Sequence, residues 1–215
     1  MTYDVYFRTG TDHPAPWVVT CDHAQNTVPD FVAEGDLGLP PEDMARHIAY
    51  DIGAWGVAQA LATRLDGPEI GANFSRLVID PNRGEDDPTL VMRLYDGSII
   101  PANRHAKPEA ISRCLDGCYR PYHATLTDLT ARDGAVIVSA LSFTRQLHGR
   151  PRRHWDIGIL YALDDRLARP LLDLLYQDKT VTTGDNEPYH GALKVDAMDR
   201  HDLMPGEPVT SVNVV

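Results

Sequence analysis

The residues whose types suit chemistry fall directly after short apolar runs. His23 follows the run at 18–21, Asp80, Asn82 and Arg83 follow the run at 77–79, and Ser142-Phe143-Thr144-Arg145 follows the run at 135–138. In open α/β sheets, ligands bind beyond the carboxyl ends of the strands, so these are the positions to weigh first. His47 and Asp51 are four residues apart in a stretch with helical spacing of apolar residues, which would put both on one helix face. A histidine and a carboxylate meeting at a strand end are the raw material of a zinc or general-base site. The same spacing also describes a surface hydrogen-bonded pair, and His23 could equally hold a turn. Asn82 and Arg83 could cap a turn and reach solvent, and Cys114 and Cys118 read as two buried thiols.

The elements that must position these groups alternate. Residues 18–21 read as a buried strand, 40–65 as a helix opened by Pro40-Pro41, and 77–79 as a strand core. Residues 84–107 are turn-rich and irregular. A second helix is expected over 108–131 with a kink at Pro121. Strands follow at 135–138 and 157–161. A helix over 164–177 would bury Leu167, Leu171, Leu172, Leu174 and Leu175. This pattern predicts an α/β fold, a mostly parallel sheet with helices on both faces.

The 215 residues suit one domain, and 20 Lys plus Arg against 31 Asp plus Glu give a net charge of −11. That balance argues against nucleic-acid binding, and no apolar run approaches the ~18 residues of a membrane span. With no visible secretory signal and three cysteines, Cys21, Cys114 and Cys118, a disulfide framework is not expected. A soluble cytoplasmic protein is the expectation, its oligomeric state open. Neither a G-x-S-x-G elbow nor a phosphate-cradling glycine loop is present.

Seven segments in one order resemble the N-formylglutamate amidohydrolase family: 21–29 (CDHAQNTVP), 46–54 (RHIAYDIGA), 75–83 (SRLVIDPNR), 119–123 (YRPYH), 142–144 (SFT), 155–161 (WDIGILY) and 185–189 (DNEPY). The resemblance implies a fold like that of the zinc carboxypeptidases and a single domain over 1–215. It also implies metal-dependent hydrolysis of an amide or formamide on an acidic N-acyl amino acid, through a metal-activated water. Zinc is the implied cofactor and a small anionic amino-acid derivative the implied substrate. His23 and Asp51 match metal-ligand positions, and Arg76, Asn82 and Arg83 resemble a clamp for the substrate's carboxylates. His47, His123 and Ser142 stand as supporting residues around them. No catalytic base is identified.

Two departures set this chain apart. Leu141 stands where the family's next metal-binding histidine would be, and leucine cannot coordinate zinc. His148 and His154 lie just downstream, outside the motif. From about residue 202 the family's Gly-rich turn and glutamate-bearing strand are replaced. Glu207 is the acid near that place, before the apolar run 209–215, which could form a packing strand. The alternative expectation is therefore a degenerate member that keeps the fold and a carboxylate-binding pocket as a binding or regulatory module, with catalysis impaired.

Overall fold

The computed structural model describes residues 3–162, 164–189 and 210–215. Its centre is a seven-stranded sheet in the order β1-β3-β2-β6-β9-β7-β8. The strands are β1 (Tyr6–Thr9), β2 (Trp17–Cys21), β3 (Glu69–Ala72), β6 (Val136–Ala140), β7 (Ile157–Leu160), β8 (Thr183–Asp185) and β9 (Thr210–Val214). A separate hairpin pairs β4 (Leu94–Tyr95) with β5 (Ser98–Ile99). The β3–β2, β2–β6, β6–β9 and β7–β8 pairs are parallel, whereas β1–β3 and β7–β9 are antiparallel. The mostly parallel α/β fold read from the sequence is the fold observed.

Helices α1 (Pro41–Met44), α2 (Ala54–Leu65), α3 (Pro101–Arg104), α4 (Pro108–Cys114), α5 (Arg120–Thr130) and α6 (Ala168–Leu175) surround the sheet. Side chains alternate across a strand, so neighbouring residues serve opposite faces. Val18 and Ile70 pack with Tyr122, Leu126 and Leu129 of α5. Val19, Cys21 and Ala140 meet Ala54, Ala58 and Ala62 of α2 on the other face. Alanines at four-residue spacing let that helix approach closely, and Trp55 beside them lies over β3. A Cβ on Gly71 would come within 2.5 Å of the Trp55 ring. Val138, Ile159 and Val212 pack against Ala168 and Leu172 of α6.

Several expectations change. The helix expected over 40–65 is two, α1 and α2, separated by turns at 45–53 that include Gly53 at φ 85°. Tertiary hydrogen bonds win over helical periodicity there. The Asp51 N–H donates to His23 O at 2.9 Å, while Ala49 O accepts both Arg76 N–H at 3.1 Å and the Ser75 hydroxyl at 2.8 Å. His47 and Asp51 therefore do not share a helix face.

Residues 77–79 are a fully buried turn rather than a strand. Asn103 Nδ2 donates to Leu77 O and Met92 O, doing for that backbone what a ladder would do in a sheet. The neighbouring strand is β3, with one large apolar residue and hence a weak sequence signal. The helix expected over 108–131 is α4 and α5 joined by a π turn at Leu115–Tyr119, ahead of Pro121. Pro121 sits in the first turn of α5, where a missing N–H costs little. The helix expected over 164–177 is the shorter α6, on which Leu174 faces solvent instead of the core.

The apolar end of the chain does form a strand, β9, inside the sheet. Glu207 and the segment 195–201 (VDAMDRH) lie outside the described residues. Among the described residues, no helix is long and apolar enough to cross a membrane.

Candidate functional site

Parallel pairing fixes where the site lies. Thr20 of β2 is opposite Ser139 of β6, so His23 and Ser142, each three residues further on, leave the sheet at the same edge. The Ser142 N–H donates to Asp51 Oδ2 at 2.8 Å, tying the end of β6 to the turns at 45–53, which are bonded to His23 O through the Asp51 N–H.

Four charged side chains converge there. His23 Nε2 is 2.7 Å from Asp80 Oδ1, and His23 Nδ1 is 3.4 Å from Asp51 Oδ2. Arg76 reaches both carboxylates, 2.8 Å from Asp80 Oδ2 and 3.4 Å from Asp51 Oδ1. The Asn82 N–H donates to Asp80 Oδ1 at 2.9 Å, and Arg83 Nε stands 4.0 Å from Asp80 Oδ2. His23, Asp51 and Asp80 are buried, so each charge depends on its partners. Burial and Arg76 favour a neutral His23 ring, yet Asp80 and Asp51 outweigh them and push its pKa up to about 9. Against burial, Arg76 and His23 hold the Asp80 carboxyl far below the usual range. Against burial as well, His23, Arg76 and the Ser142 N–H keep Asp51 low.

The surrounding residues support this quartet. Tyr122 donates its hydroxyl to Asp22 Oδ1 at 2.7 Å. Burial raises the Asp22 pKa, so that neighbour of His23 is pushed toward its neutral form. His123 Nε2 lies 3.0 Å from Pro81 O and its ring centre is 4.3 Å from that of Tyr119, the rings tilted by 53°, bracing the segment that carries Asp80 and Arg83. The Tyr95 ring lies 5.5 Å under the Arg76 guanidinium. His47 packs edge-on against Tyr95, with Nε2 3.2 Å from Asp96 Oδ2. Burial lowers the His47 pKa, opposed by Asp96.

The structure thus brings together His23, Asp51, Arg76 and Ser142, with Arg83 at the edge of the group. His47 is one aromatic ring away and His123 acts from behind the 80–83 segment. Arg76, expected as a substrate clamp, binds two internal carboxylates here. His148 contributes a backbone N–H to Asp96 at 2.8 Å, and His154 lies against Trp155.

Sequence reasoning noted Asp80 without giving it a role, and it missed the hairpin altogether. The available signal was Asp96-Gly97, a two-residue loop between Tyr95 and Ser98 with both φ angles positive, 41° and 89°. Asp-Gly at that position is a strong hairpin marker.

A metal implied by the resemblance can be tested against these residues. Among the described residues, the buried His23 Nδ1 has no hydrogen-bond partner, and Asp51 Oδ2 faces it at 3.4 Å. Asp80 on the opposite nitrogen is the carboxylate that commonly orients a ligating histidine. Two donor positions are therefore shaped for a cation. The third is not, because Leu141 precedes the Ser142 N–H that contacts Asp51. Among the described residues, no group of three or more His, Cys, Asp or Glu side chains is arranged to hold a metal. A catalytic zinc keeps three protein ligands, so the described residues supply one donor too few.

Comparisons with known proteins agree on the fold. The gene product Atu2144 from Agrobacterium tumefaciens superposes with a TM-score of 0.88 at 27% identity, covering 99% of this chain and 84% of that one. The N-formylglutamate amidohydrolase from Ralstonia eutropha JMP134 superposes at 0.67 with 20% identity, covering 98% of this chain and 84% of that one. A search of curated proteins finds no match. The family model for N-formylglutamate amidohydrolase matches residues 15–214. With fold, segment order and family match in agreement, this chain belongs to the N-formylglutamate amidohydrolase family, a family of hydrolases.

Proposed function

We propose that this chain keeps the family's cleft for a small N-acyl acidic amino acid, of the N-formylglutamate kind, while its hydrolytic activity is impaired. One observation carries the reading. The Ser142 N–H sits 2.8 Å from Asp51 Oδ2, so residue 141 adjoins the His23–Asp51 pair, and residue 141 is leucine. The quartet without a metal is also self-balancing, because His23 and Arg76 oppose Asp51 and Asp80.

A second reading, a zinc-dependent amidohydrolase with His23 and Asp51 as donors, is favoured by the Nδ1 of His23, unpartnered among the described residues. A bound zinc would supply an activated water and polarise the scissile carbonyl.

Zinc content and formate release from N-formylglutamate separate the two readings. The impaired reading expects well under one zinc per chain and slow turnover, with Leu141→His raising zinc occupancy. Stoichiometric, tightly held zinc in the unaltered chain, with turnover abolished by His23→Ala, would overturn it in favour of the second.

A further inference from the structure

The segment after β6 is strongly basic for so acidic a protein: Arg145, Arg150, Arg152 and Arg153 fall within nine residues. Arg145 pairs with Asp156 at 2.7 Å, and Arg150 and Arg152 are exposed. Arg153 is held differently. Its guanidinium lies 4.7 Å from the centre of the Tyr189 ring and 5.7 Å from that of Phe143. Its backbone N–H donates to Arg145 O at 2.8 Å, and one amino group donates to Thr144 O at 2.9 Å. Among the described residues, its remaining donors have no partner and no carboxylate neutralises it.

These contacts set Arg153 beside the segment that leaves β6 just after Ser142. Phe143 directly follows Ser142, whose N–H is on Asp51. Arg76 itself is turned to Asp51 and Asp80, so it offers little to an incoming anion. A guanidinium stacked on aromatic faces keeps its in-plane donor fork free, and that fork matches a carboxylate.

We propose that Arg153 is a specificity-determining residue that receives the remote carboxylate of the acidic N-acyl amino acid bound beside His23 and Asp51. The assignment rests on the reading of the cleft given above and adds which side chain selects the acid over its amide. Arg83, beside Asp80, is the cation nearer the centre of the site. A ligand reaching from centre to rim presents its far charge to Arg153.

Calorimetric titration of the full chain in the presence of a chelator tests this, with N-formylglutamate and N-formylglutamine as paired probes. A charge-assisted pair predicts that the wild-type chain prefers the acid by about 10- to 100-fold. Arg153→Met should erase that preference, weakening binding of the acid far more than binding of the amide. Arg153→Lys should restore part of it, because an ammonium supplies charge without the fork. Arg153→Gln decides the matter if the Met variant is unstable. A folded Met or Gln variant that keeps the wild-type preference overturns the assignment alone, as does a wild-type chain that binds both probes equally. A wild-type chain that binds neither probe overturns the cleft reading as well.

Discussion

Replacing Asp80 with asparagine removes one of two negative charges from a buried group that also holds His23 and Arg76. Asp80 is fully buried and accepts from His23, Arg76 and the Asn82 N–H, so the amide leaves an excess positive charge inside unless His23 gives up its proton. Breaking a buried pair on one side costs about 3–5 kcal/mol. The pH dependence should change with it. His23 has its pKa raised from 6.5 to about 9 in the folded metal-free protein, so it stabilises the fold fully below pH 6.5 and loses that contribution as pH rises through 9. The shift corresponds to about 3 kcal/mol of stability lost over that window. In Asp80→Asn, burial and Arg76 act on His23 against Asp51 alone, and the ring should be neutral at pH 7. Urea unfolding of chelated protein from pH 6 to pH 9.5 measures both effects. The wild type should lose about 3 kcal/mol more than the variant over that range, and subtracting the two curves removes the other alkaline groups. Parallel curves would refute the charge-balanced quartet.

Other consequences can be measured as directly. Tyr122→Phe removes the hydroxyl that satisfies buried Asp22 and should cost about 1–3 kcal/mol in chemical denaturation. Gly158→Ala would bring a Cβ within 2.2 Å of Glu187 O, so the turn at 186–189 must shift. Its melting temperature should fall, and ligand discrimination should weaken through Tyr189. Leu141→His should raise zinc per chain, read by elemental analysis, since Asp51 is bonded to the adjoining backbone and faces His23.

The ends of β2 and β6 were legible in the sequence because apolar runs followed at once by polar residues mark strand exits. That placed His23 and Ser142 correctly at one edge. The turn carrying His47 and Asp51 was not legible. Its apolar spacing imitates a helix, while its conformation is set by bonds to His23, Arg76 and Ser75, far away in sequence. Residues 77–79 show the same limit, since a continuous apolar run reports burial without saying how its backbone is satisfied. Arg153 stayed hidden because its partners, Phe143 and Tyr189, are 46 positions apart from each other in the chain.

β9 comes after every other strand in the chain yet lies between β6 and β7. Without it, the described sheet would divide into two parts, β1-β3-β2-β6 and β7-β8, each with an unpaired backbone border. Such borders template pairing with foreign strands. A proteolytic nick ahead of β9 would therefore convert a minor excision into loss of the seam joining both halves, and a synthetic peptide spanning 210–215 is the natural complement to restore it.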